Sequence, residues 1–160
     1  MRSPKTSLSF TATAVAILLL LVTIPAFAQD SLNLSMTGRI VYWDSPYKTA
    51  LTGNYLYVAG GFSGLHVLDI SDPAQPLPVS TVDLASGCAY SVVINGQNAF
   101  AVADQGFSTY NIVDPTNPVQ LSSIPYQSFQ QALRSVAVQG RFAYVAGVFH
   151  IWIIDISNPA

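Results

Sequence analysis

From about residue 47 onward, apolar residues come in runs of about five to seven, each closed by Gly, Asn, Asp or Pro. Nothing in these runs keeps a helical period over three turns, so the pattern predicts short strands joined by turns. The middle of the chain shows it best: Tyr90 to Ile94, Ala99 to Ala103, Phe107 to Val113 and Val119 to Ile124 read as four successive strands. Asn95-Gly96 reads as the two-residue turn between the first pair, both positions tolerating positive φ. The run from Asp114 to Pro118 turns the third strand into the fourth.

The pattern repeats about every 43 residues. Gly53-Asn54-Tyr55-Leu56-Tyr57-Val58-Ala59, the segment from Gly96 to Ala103, and Gly140-Arg141-Phe142-Ala143-Tyr144-Val145-Ala146 fall into register, an aromatic following each Gly by four residues. Behind them come three matched runs, His66 to Pro73, Asn111 to Pro118 and Trp152 to Pro159. A repeat of this period built from four short strands predicts an all-β fold of β-propeller blades. The repeats are placed at residues 47–83, 90–124 and 133–159, the last with only three strands. Asn33 to Tyr42 reads as an outer strand available to close the ring. Three blades fall short of the roughly 4 to 8 that known propellers use, so an incomplete ring is expected. Further copies of the chain or missing C-terminal blades would complete it, and the stop just after Asn158-Pro159 favours a fragment.

Composition narrows the class. With 51% hydrophobic and 9% charged residues over 160 positions, a disordered or coiled-coil chain is excluded. One Cys and two His leave neither a disulfide framework nor a zinc module. Arg2 and Lys5, the apolar run from Ala12 to Ile24 and Ala26-Phe27-Ala28 form a secretory signal, with cleavage expected after Ala28. Residues 29–160 then carry Arg39, Lys48, Arg134 and Arg141 against eight Asp and no Glu. That balance offers no footprint for nucleic acid and no basic helix for anionic lipid. An exported chain is expected, in the periplasm, at the cell surface or outside the cell, with no transmembrane span after signal cleavage.

The apolar-Asp-Ile-Ser-Asp/Asn-Pro runs, with Leu65 to Pro73 and Ile151 to Pro159 the best matches, and the Tyr-Val-Ala segments resemble the LVIVD repeat of bacterial and archaeal surface proteins. The middle copy departs from the pattern, with Pro115 where the others carry Ile70 and Ile156. The resemblance implies a β-propeller in an exported or surface protein, and it transfers no catalytic residue.

Candidate chemistry is sparse. Asp69, Asp114 and Asp155 recur once per repeat, but each ends a strand before a turn, where a short carboxylate caps backbone N–H groups. Asp72, Asn117 and Asn158 have the same explanation. His66 aligns with Asn111 and Trp152, His150 with Gly64 and Thr109, and neither has a Ser or Cys with an oriented acid beside it. Cys88 reads as a small packed group. Tyr57, Phe100 and Tyr144 fit packing between blades. No catalytic, cofactor or metal residue is assigned. The non-repeating loops at one end of the blades form the expected interaction face: Asp44, Phe62, Asp104, Gln105, Phe107, Tyr126 and Phe129.

The expected function is a non-enzymatic platform for an unknown protein or glycan at the cell surface. The alternatives are a piece of a propeller enzyme whose active site needs further blades, and an architectural protein that assembles with itself.

Overall fold

The computed structural model describes residues 35–40, 45–84 and 87–159. The chain divides into two units, Met1–Met36 and Thr37–Ala160. Of the first unit the description covers Ser35 and Met36 alone; the expected leader over residues 1–28 lies outside it.

The second unit is built almost wholly of antiparallel strands. The first sheet runs β1 (Lys48–Thr52), β2 (Tyr55–Ala59), β3 (Leu65–Asp69) and β4 (Leu77–Val82). The second runs β5 (Ala89–Asn95), β6 (Asn98–Ala103), β7 (Gly106–Asn111) and β8 (Val119–Pro125). A single helical turn, α1 (Tyr126–Phe129), leads to the third sheet: β9 (Leu133–Gln139), β10 (Phe142–Gly147) and β11 (Ile151–Asp155). These are the expected blades, the third lacking its outer strand.

Each first hairpin turns on two residues, because Thr52 pairs with Tyr55, Asn95 with Asn98 and Gln139 with Phe142. Gly53, Gly96 and Gly140 hold the first position at φ 54°, 61° and 59°. Gly96-Gln97 is therefore the turn, not Asn95-Gly96. Only the first central residue needs positive φ, as in a type II′ turn, and Asn95 stays in the ladder.

Backbone pairing also corrects the middle repeat. The amides of Ile70, Ile112 and Ile156 donate to the carbonyls of Asn54, Gln97 and Arg141 at 2.8, 2.9 and 2.8 Å. Ile112, rather than Pro115, is thus the counterpart of Ile70 and Ile156. Asn111, rather than Asp114, matches Asp69 and Asp155, each pairing with the residue that opens the preceding strand. The Asp-x-x-x-Pro spelling misled the alignment by three residues, because the hydrogen-bond ladder and not the spelling sets register. By the same ladder His66 matches Ser108 and Trp152, and His150 matches Gly64 and Gly106.

The sheets pack side by side, β1 beside β5 and β5 beside β9. One core joins Tyr57, Ala59, Leu65 and Val67 of the first sheet to Val92, Ala99, Ala101 and Tyr110 of the second. The other joins Phe100, Val102 and Phe107 to Val136, Ala143 and Val145 of the third. Large side chains leave one sheet and small ones on the next receive them, which lets the sheets approach closely. Two serines tie the outer edges. Ser80 donates to the Pro115 carbonyl and Ser122 to the Pro159 carbonyl, each at 2.8 Å, so the Asx-Pro turn of one sheet is clasped by the outer strand of the sheet before it.

Among the described residues, no sheet covers the far side of the third. There Tyr144, Ile151 and Ile153 are 37%, 71% and 66% exposed, whereas their counterparts Tyr57, Leu65 and Val67 are fully buried. The expected inter-blade role therefore holds for Tyr57 and Phe100, while Tyr144 packs into no sheet among the described residues.

Residues 35–40 form no strand, and the third sheet holds β9 to β11 with no fourth strand among the described residues. The expected closure by Asn33 to Tyr42 is not made there. Gly38 instead lies against the first sheet's own turn, where a Cβ on it would come within 2.7 Å of the Pro73 carbonyl.

Tyr57 shows the cost of an imperfect copy. Its hydroxyl is buried without a hydrogen-bond partner, and burial pushes its pKa up to about 12. The second sheet has Phe100 there. Tyr57→Phe is expected to leave stability unchanged or raise it by about 1 kcal/mol in urea denaturation, since it removes an unsatisfied polar atom and keeps the ring.

Candidate functional site

The innermost strands begin at one end of the stacked sheets, the same end that carries the β2–β3 and β6–β7 loops, because Lys48 pairs with Ala59 and Ala89 with Ala103. One position recurs just there: Tyr47, Tyr90 and Arg134 each stand two residues before Thr49, Val92 and Val136, which are matched by their partners in the ladder. These three side chains touch in succession. The Tyr47 and Tyr90 rings meet edge to face at 5.2 Å, and the Arg134 guanidinium carbon lies 4.4 Å above the centre of Tyr90. With Lys48 they line an open cavity of about 580 Å³.

The cavity is basic and aromatic. Arg134 rests its guanidinium on the Tyr90 ring and also hydrogen-bonds that residue's side chain, which holds the planar cation at the cavity wall. The one ion pair among the described residues, Arg141 with Asp155 at 2.8 Å, lies elsewhere. Asp104 stands beside Tyr90, hydrogen-bonded to its side chain, and accepts the Cys88 amide at 3.2 Å. Burial raises the Tyr90 pKa and the Arg134 contact opposes it, so the phenol stays a neutral donor at physiological pH.

Of the expected interaction residues, Phe62 (71% exposed), Tyr126 (42%) and Gln105 do lie at the surface of this end. Asp104 is half-buried. Phe107 and Phe129 are corrections. Phe107 is 2% exposed and stacks on Phe100 at 6.1 Å in the core, and Phe129 is 7% exposed with its ring edge-on to Trp152 at 5.1 Å. Phe107, near the start of strand β7, and Phe129, at the end of the single turn α1, both aim inward. Asp44 lies outside the described residues. Tyr47, Lys48, Tyr90 and Arg134 escaped the sequence reading. A signal did exist, since each opens an inner strand, but the repeat varies at that position and the eye follows what it conserves.

The remaining candidates resolve into structure. Asp69 and Asp155 accept the amides of Ser71 and Ser157 at 2.8 and 3.0 Å, and Asn111 accepts that of Val113 at 2.9 Å. Asp72 and Asp114 accept the amides of Ala74 and Thr116, both at 2.9 Å. These bonds, with the Ser71 and Thr116 hydroxyls, hold the Asp69 and Asp114 carboxyls below the usual carboxylate range. No cluster of three or more His, Cys, Asp or Glu side chains suited to a metal forms among the described residues.

His66 does sit beside a serine: Nε2 is 2.9 Å from Ser63 Oγ, and Nδ1 is 3.0 Å from Thr81 Oγ1. The Ser63 hydroxyl, however, donates to the Gly60 carbonyl at 2.5 Å. The imidazole therefore gives Ser63 a proton at Nε2 and accepts one from Thr81, the reverse of what activating a nucleophile requires. Burial lowers the His66 pKa, which keeps it neutral in that role. His150 bonds Gln131 Nε2 through Nδ1 at 2.6 Å and orders the loop, since Gln131 also accepts the Phe149 amide. Cys88 is buried as a free thiol.

Comparison with solved structures supports the fold. The computationally designed Ika8 protein superposes with a TM-score of 0.53 at 7% identity, covering 70% of this chain and 33% of that one. The computationally designed Ika4 protein gives 0.52 at 8% identity, covering 68% of this chain and 64% of that one. This chain thus spans less than two thirds of either. No curated protein matches it. The model of the LVIVD repeat matches residues 48–83 and 132–160, the first and third sheets. The second sheet, though unmatched, repeats their ladder, their glycine turn and their isoleucine bond. The chain thus carries two segments that match the LVIVD repeat, at residues 48–83 and 132–160.

Proposed function

We propose that the protein is an exported binding platform, and that the cavity where its innermost strands begin holds a carboxylate-bearing group of a protein or glycan at the cell surface. One observation carries this reading: among the described residues, Lys48 and Arg134 share with two tyrosines the wall of one cavity, the carboxylate of Asp104 lying behind Tyr90. In a chain of formal net charge −2 such a local concentration of positive charge selects for acidic ligands by attraction and orientation. The exposed ring of Tyr47, 56% accessible, adds an apolar surface beside the charges. Export is supported by the leader pattern over residues 1–28. No helix among the described residues is long and apolar enough to cross a membrane. A binding role is favoured over catalysis because the Ser63 hydroxyl beside His66 directs its proton to the Gly60 carbonyl, away from the imidazole.

The test is a binding screen of the purified chain on uronate oligosaccharides and acidic peptides, each beside its neutral counterpart. Acidic ligands are expected to bind, to weaken as salt rises, and to lose at least tenfold, about 1.4 kcal/mol, in Arg134→Gln and in Lys48→Gln. Equal binding of acidic and neutral ligands, or binding indifferent to both substitutions, would overturn the reading.

A further inference from the structure

We infer that the uncovered face of the third sheet is a docking surface for a second copy of this chain, whose first sheet and residues 37–40 complete it. The face is defined by comparison within one molecule. Tyr57, Leu65 and Val67 are 0% exposed because the second sheet covers them, and Phe100, Phe107 and Thr109 are 2% exposed because the third does. Tyr144, Ile151 and Ile153 hold the same ladder positions and stand open. The surface is thus continuous in kind with two interfaces already made, and its occupant is a sheet that presents the receiving side of a repeat.

The first sheet has such a side. Its strand β1 offers Leu51, 63% exposed, at the position where Ile94 and Val138 enter the two internal joints, with half-buried Leu56 beside it. Val58 and Leu68, farther from the innermost strand, are already buried, so the contact runs along β1 and the start of β2.

A second complement fits the same partner. The third sheet ends at β11 with its outer edge unpaired among the described residues, where the other two sheets add a fourth strand. Residues 37–40 hold the place of an outer strand with no sheet behind it. Ser80 and Ser122, on the outer strands, meet the carbonyls of Pro115 and Pro159 in the following sheet, and Gly38 meets the carbonyl of Pro73, the equivalent proline of the first sheet. Ile40 stands two residues beyond Gly38 as Val82 stands beyond Ser80. A third sheet arriving from another copy would lie between this segment and the exposed strip of the first sheet along β1, gaining a contact and a strand at once. Two copies related by a two-fold axis make the joint twice and close a ring of six sheets, within the roughly 4 to 8 that propellers use.

The experiment combines mass with a covalent trap. Sedimentation of the purified chain at its highest soluble concentration is expected to give twice the chain mass, and Ile153→Asp to return it to one chain with an unchanged far-ultraviolet spectrum. Ile40→Cys combined with Ile151→Cys copies the pairing of Val82 with Leu65, and mild oxidation is expected to join two chains. The native Cys88 is buried and does not compete. A single-chain mass throughout, a dimer indifferent to Ile153→Asp, or a disulfide formed within one chain would each overturn the inference.

Discussion

Leu65→Ala is expected to cost about 2–5 kcal/mol in urea denaturation, while Ile151→Ala, at the same position of the third repeat, changes stability by no more than about 0.5 kcal/mol. Both residues open the third strand of their sheet, paired with Ala59 and Ala146. Leu65 is 0% exposed, sealed between the first and second sheets, so truncation removes buried methyl groups and leaves a cavity whose walls are set by two β-ladders. Ile151 is 71% exposed and leaves nothing behind. The comparison is made at low protein concentration, where association between chains adds nothing to the measured stability. Equal costs at the two positions would show that the third sheet is covered in the isolated chain, against the packing described.

The second large effect is at Gly106. Gly106→Ala is expected to cost about 3 kcal/mol or more, for two reasons that add. Its φ of 127° lies where L side chains are strained, and a Cβ would stand 2.1 Å from the Ile124 carbonyl of the outer strand. Gly64 repeats the arrangement in the first sheet at φ 88°, its Cβ position 2.4 Å from the Val82 carbonyl. The third repeat has His150 there, with no positive φ and no outer strand to meet. His150→Ala is therefore expected to lose only the bond to Gln131, about 1 kcal/mol. Thermal melts of the two variants decide it: similar midpoints would mean that the outer strand does not press on β7.

Much of this architecture was legible along the chain. Gly53, Gly96 and Gly140 mark the hairpins because a two-residue turn with positive φ at its first position is a local demand that glycine meets at little cost. The middle repeat was misread by three residues because Asp114-Pro115 imitates the turn spelling, while register is a property of two strands together.

The candidate site was the least legible part. Tyr47, Tyr90 and Arg134 are about 43 residues apart in sequence and adjacent in space, and nothing local ties a phenol to a guanidinium across that interval. Phe107 and Phe129 were misplaced for a related reason: an aromatic beside a loop faces outward or inward according to what packs above it, and here Phe100 and Trp152 do.

The sequence by itself determined the number of repeats, the strands within them and the turns between them, because these depend on alternation, on φ and on residues a few positions apart. Only the tertiary structure decided which copies of a repeated side chain are buried. Tyr57 and Tyr144 are one residue type at one repeat position, and the difference between 0% and 37% exposure is made entirely by the presence or absence of a neighbouring sheet. Burial belongs to the joint between sheets, and the described residues form three sheets with two such joints.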